Sequence, residues 1–130
     1  VIEVGDLDDA NCFRIVHADY EPRFDDDQAE YLLSEAVHSN GSFNGEHNEI
    51  QTFIWSRSTI TVALHNIGNL KPSTTHLDFA NRKRHTFCGH TPIQKVITVK
   101  DITFNDTWAS NTLSIVDAIT KEVFGVKVNL

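Results

Sequence analysis

Residues 57–79, RSTITVALHNIGNLKPSTTHLDF, alternate apolar and polar side chains on both sides of an Asn66-Ile67-Gly68-Asn69 cluster. Period-two alternation is the signature of a strand with one buried face. Asn and Gly tolerate the positive φ that a tight turn requires. The pattern predicts a strand over 59–66 with Ile60, Val62 and Leu64 facing inward, a turn, and a second strand over 73–80. Residues 113–130, LSIVDAITKEVFGVKVNL, repeat the theme, with Phe124, Val126, Val128 and Leu130 alternating with Gly125, Lys127 and Asn129. This closing hairpin is expected to turn near 117–121.

Further extended segments are expected over 12–18, 50–55 and 95–104, with a short one at 87–88. The first places Phe13, Ile15 and His17 on one face. One segment has a helical period instead. Ala29, Leu32, Leu33, Ala36 and Val37 form a single apolar stripe. Asp25, Asp26 and Asp27 precede it, where carboxylates cap free N–H groups and complement the helix dipole. A helix over about 26–38 follows. Seven or eight short strands with frequent turn signals predict a mainly-β fold. We expect a two-layer antiparallel β-sandwich formed by one domain over 1–130, its single helix inserted between the first and second strands. Ile60, Val62, Leu64, Ile115, Phe124, Val126 and Val128 are its expected core, with Leu32, Leu33 and Val37 packing the helix against it.

The charge balance narrows the partners. Asp and Glu outnumber Lys and Arg 18 to 11, giving a net charge of −7. Such a chain repels phosphate backbones, so nucleic acid is not an expected partner. No apolar run has the length of a membrane span. The chain starts at Val1 and has no Met, which reads as a processed, secreted product or an excised piece. Asn40 and Asn105 each begin a glycosylation sequon. In an oxidising compartment Cys12 and Cys88 are expected to form a disulfide, worth about 4 kcal/mol in the chain-entropy model. The alternative is two buried free thiols.

Little in the chain resembles a catalytic signature. There is no G-x-S-x-G elbow, Gly-rich phosphate loop, HExxH or EF-hand loop. His85-x-x-Cys88-x-His90 brings together zinc-ligand types, but at no standard zinc spacing and with no second Cys pair. No metal, no cofactor and no enzymatic activity are expected. Trp55 lies in an apolar run and reads as core. Trp108 follows Asn105-Asp106-Thr107 in a loop and is the better candidate for an exposed aromatic.

The order of four segments resembles the ToxA-like β-sandwich effectors secreted by plant-pathogenic fungi. Asn11-Cys12-Phe13 resembles the start of the mature toxin, and Gly41-Ser42-Phe43 its Gly-Ser-aromatic segment. ITVALHNIGN resembles its strand ending in Asn-x-Gly, and LSIVDAITKEVFGVKVNL its closing hairpin. Residues 98–102 fall where the family carries an exposed Arg-Gly-Asp loop. Only Lys100 and Asp101 stand there, so the family's receptor contact is not carried over. The second family cysteine lies in the final hairpin, whereas Cys88 precedes it.

The resemblance implies a secreted, non-enzymatic effector of virulence, avirulence or toxin type. It would bind a host plant protein outside the cell or after translocation into it, and it is expected to be a monomer. Recognition is expected on loops, at Arg82, Lys83 and Arg84 or at Lys100, Asp101, Asp106 and Trp108. The alternative at the first place is a solvated hairpin tip, and at the second a partly buried connection. A carbohydrate-binding module using Trp108 or Trp55 is the alternative function.

Overall fold

The structure is a computed structural model and describes residues 1–38, 53, 56–68 and 78–129, with backbone alone for 36–38 and 65–68. The expected strand over 50–55 apart from Phe53, including Trp55, most of the one over 73–80, and the sequon at Asn40 lie outside the described residues, as does the side chain of Val37.

The helix expected at 26–38 forms as α1, Asp26–His38. Its start is a reciprocal cap. Asp25 Oδ1 accepts the Gln28 N–H at 2.8 Å, and Gln28 Oε1 accepts the Asp25 N–H at 3.0 Å. Ala29 and Leu32 are buried, as the stripe requires.

The segment at 59–66 is not a strand. Ser58–Gly68 is a second helix, α2. Thr59, Ile60 and Ala63 are buried, whereas Thr61 and Leu64 are exposed. Burial at i, i+1 and i+4 is a helical stripe. ITVAL satisfies both periods over so short a window, and contacts from elsewhere in the chain select the helix. The Thr59 N–H donates to Asp19 Oδ2 at 2.9 Å, from forty residues away, and the Thr59 hydroxyl donates to the Tyr20 carbonyl at 3.0 Å. Asp19 thus supplies the carboxylate that the local sequence does not place at the helix start. Burial raises its pKa, against the lowering effect of the Thr59 and Tyr20 N–H bonds.

Seven strands form two sheets among the described residues, so the chain is mainly β. The larger sheet holds β1 (Ile2–Val4), β2 (Phe13–Val16), β3 (His85–Cys88), β4 (Ile97–Val99) and β5 (Ile102–Phe104), in the order β1-β2-β3-β5-β4. β2, β3 and β5 are parallel, and β1 and β4 pair antiparallel on the outside. The central pairings therefore differ from the expected all-antiparallel arrangement. Parallel neighbours need a long crossover, and the stretch carrying α1 and α2 provides it between β2 and β3. The helix α1 thus follows the second strand, since β1 precedes the segment expected to come first.

One cross-strand row, Val16–Cys88–Phe104–Ile97, is buried along its length. With Ile102 it meets Tyr20, Ala29, Leu32, Phe53, Ile60 and Ala63 in a single core. Fully burying side chains of this size contributes roughly 1.5–3 kcal/mol each. The opposite sheet face carries Ile2, Ile15, Phe87 and Thr103.

The second sheet is the closing hairpin, β6 (Thr112–Val116) and β7 (Val123–Lys127). Asp117 Oδ1 accepts the N–H groups of Ile119 and Thr120, both at 2.8 Å, and so shapes its turn. The turn reaches the open face of the larger sheet, with Lys121 Nζ 5.5 Å from the Phe87 ring centre. The core assigned to this hairpin is corrected by the structure. Ile115, Phe124 and Val126 are exposed and Val128 is half-buried. No described layer covers the face they form.

Cys12 and Cys88 are buried free thiols. Phe13 lies opposite His85 and Val16 opposite Cys88. Cys12 and Cys88 are therefore offset by four residues, about 13 Å of strand. A disulfide closes only when the Cα atoms lie within roughly 7 Å. The expected bridge is not made, and the sheet register is the reason.

Candidate functional site

The outward face of the β6–β7 hairpin is the largest departure from ordinary burial. Leu113 pairs with Val126 and Ile115 with Phe124, so the four side chains share one face as a block. They are 60%, 64%, 60% and 57% exposed in that order. Ile119, at the turn, extends the apolar surface. Beside the block stands a short 3-10 turn, Trp108–Ser110. Trp108 is exposed, as its loop position suggested, and rims a cavity of about 220 Å³ that Asp106, Thr107, Leu113 and Ser114 also line. The Thr107 hydroxyl donates to the Thr112 carbonyl at 2.7 Å, tying this turn to β6. Asp106 Oδ1 accepts the Trp108 N–H at 3.3 Å, and the Asp106 carbonyl accepts the Ile93 N–H at 2.8 Å.

The other sequence candidates lie deeper. The Arg82 guanidinium is fully buried. Its Nε and Nη2 bind the two Asp101 oxygens, and its Nη1 donates to the Pro22 and Phe24 carbonyls. Arg84 is also buried, donating to the Val4 carbonyl at 2.9 Å. Only Lys83 of the three reaches solvent, with Asp8 at 3.8 Å. The basic turn is thus not a positive surface patch. Two of its cations are used inside the fold. Lys100 takes a left-handed φ of 52° in the turn between β4 and β5, its ammonium 4.9 Å from the Phe79 ring centre. The fold joins Arg82 to Asp101 and leaves Asp106 and Trp108 apart, at the hairpin.

The His85, Cys88 and His90 cluster does not converge. His85 and Cys88 are three residues apart on one strand and so point to opposite faces. His85 Nε2 meets Thr103 Oγ1 at 2.7 Å. Burial, with Lys121 nearby, lowers its pKa to about 4. Burial raises the Cys88 thiol well above its ordinary value, which makes it a poor nucleophile. Among the described residues no group of three or more His, Cys, Asp or Glu is placed to hold a metal ion, and no helix is long and apolar enough to cross a membrane.

Sequence reasoning missed a second concavity. His17 follows β2, His90 follows β3 by two residues, and Asn105 follows β5 directly. All three therefore stand at the carboxyl ends of parallel neighbours, the usual place for ligand sites in such sheets. They line a cavity of about 510 Å³. No signal of spacing could find it, because strand pairing assembles it from residues 17, 90 and 105.

No protein-family model, curated protein or solved structure matches this chain.

Proposed function

We propose that this chain acts by binding another protein, as a secreted effector that recognises a host plant protein, and that the outward face of β6–β7 is the contact. The observation that supports it is the uncovered block of Leu113, Ile115, Phe124 and Val126. A contiguous apolar face of this kind is characteristic of an interaction site. An exposed Trp at its edge adds the residue type that anchors interfaces best. On this reading the hairpin would pack as a small second β layer beside the five-stranded sheet, which its turn touches through Lys121 and Phe87. The contact differs from the basic turn expected from sequence, because Arg82 and Arg84 are engaged internally.

The test is infiltration of the purified protein into leaves of several host genotypes, beside an Ile115→Asp/Phe124→Asp variant whose circular dichroism matches the parent. The expected result is a genotype-dependent response that the variant loses. A folded variant with full response overturns the assignment of the surface. No response to the parent in any genotype overturns the effector reading.

A second reading rests on Trp108. Its exposed ring beside Asp106 and Ser114 suits stacking against a sugar with hydrogen bonds to its hydroxyls. A carbohydrate-binding module predicts a saturable change in Trp108 fluorescence on titration with oligosaccharides, absent in Trp108→Phe.

A further inference from the structure

We propose that the cavity at the carboxyl ends of β2, β3 and β5 binds a small monocarboxylate with an apolar tail. Its two ends differ in chemistry. One end is walled by Ile2, Phe13, Ile15 and Phe87, of which Ile2 and Ile15 remain largely exposed. The other carries His17, His90 and Asn105. A volume of about 510 Å³ lies in the range of small-ligand sites, roughly 300–1,000 Å³.

The polar end gathers side chains that can hydrogen-bond a ligand. The His17 and His90 ring centres are 4.7 Å apart. Arg57, at the approach to α2, places Nη2 3.3 Å from His90 Nε2. A guanidinium has no acceptor, so Arg57 is the donor in this contact. Asn105 adds an amide. No Asp or Glu lines the cavity. Of the carboxylates near this end of the sheet, Asp19 is held by Thr59, Tyr20 and Ser56, and Asp106 by the Trp108 N–H. Two imidazoles and an amide therefore line this mouth of an acidic chain, and Arg57, outside the lining, backs His90.

The backbone at this place is strained. The Thr91 N–H donates to the Gly89 carbonyl at 2.8 Å, a γ-turn centred on His90, whose φ is 65°. This turn is rare for a residue with a side chain, and such strain collects at ligand sites. Here it holds the His90 ring against His17. A single guanidinium behind His90, with a few polar groups on the lining itself, suits the single charge of a carboxylate better than a phosphate dianion. The apolar walls select a ligand with a tail.

Binding of decanoate, below its micelle-forming concentration, tests the proposal by calorimetry alongside decanol and acetate. Saturable binding of decanoate is expected, with decanol and acetate each at least about tenfold weaker, since each lacks one half of the recognition. Arg57→Ala and His17→Ala alter exposed residues and should each weaken decanoate by about tenfold. An Ile15→Asn variant should weaken it as well. Absence of decanoate binding, equal binding of decanol, or unchanged affinity in Arg57→Ala and His17→Ala overturns the proposal. The outcome is independent of the hairpin, which the Ile115→Asp/Phe124→Asp variant probes separately.

Discussion

Arg82 grips Asp101 at two points, Nε to Oδ2 and Nη2 to Oδ1, each at 2.7 Å. The third nitrogen, Nη1, reaches the carbonyls of Pro22 at 2.6 Å and Phe24 at 2.9 Å. The guanidinium carbon sits 4.8 Å from the centre of the Tyr20 ring, with Arg14 at 5.0 Å from the same ring. One side chain thus ties the segment before α1 to the turn between β4 and β5. Removing one partner of a buried pair costs about 3–5 kcal/mol, and here, although Asp101 is partly exposed, the Pro22 and Phe24 carbonyls lose their donor as well. Arg82→Ala should lose that much in chemical denaturation. Arg82→Lys should recover little, since an ammonium cannot reproduce the planar fork. A loss below about 1 kcal/mol, the range of a surface ion pair, would place Arg82 at the periphery.

Ile60 and Phe124 should respond in opposite ways. Ile60 is fully buried against the core from α2, so Ile60→Ala should cost about 2–5 kcal/mol. Phe124 is more than half exposed, so Phe124→Ala should cost less than about 1 kcal/mol in the isolated protein. Denaturation midpoints of the two variants decide it. A large loss at Phe124 would mean that its face is covered in solution.

The thiols give a covalent test of the register. Cys12 and Cys88 are both buried and free. Mass spectrometry after alkylation in denaturant, without reductant, should add two labels, and the native protein should label slowly. A species that labels only after reduction would contradict the placement of β2 against β3.

His85 gives a pH dependence. Its folded pKa is lowered to about 4, chiefly by burial and then by Lys121. The unfolded imidazole takes its proton first as pH falls below about 6.5. The stability held by the neutral folded ring is therefore complete above about 6.5 and is lost as pH falls toward 4. Between pH 7 and pH 5 the parent should lose more stability than His85→Asn. Equal losses in the two proteins would show that His85 is solvated and titrates normally.

Local chemistry made several elements legible in the sequence. Asp25, Gln28 and the Ala29–Leu32 stripe specify α1 within one short window, because cap and period are both local. The closing hairpin follows from alternation and from the Asp117 turn in the same way. The candidate contacts were half legible. Trp108 is exposed, as a loop aromatic can be, but the basic turn is interior because Arg82 finds Asp101, nineteen residues away. What tertiary structure alone decided is the state of 58–68, the pairing of β2 with β3, and the meeting of His17, His90 and Asn105. ITVAL fits a strand or a helix equally well by period, and the carboxylate of Asp19 selects the helix from outside the segment. Parallel pairing carries no local signal, since its partners are joined only through a long crossover. Once that pairing is made, it holds the two cysteines apart and brings the two histidines together.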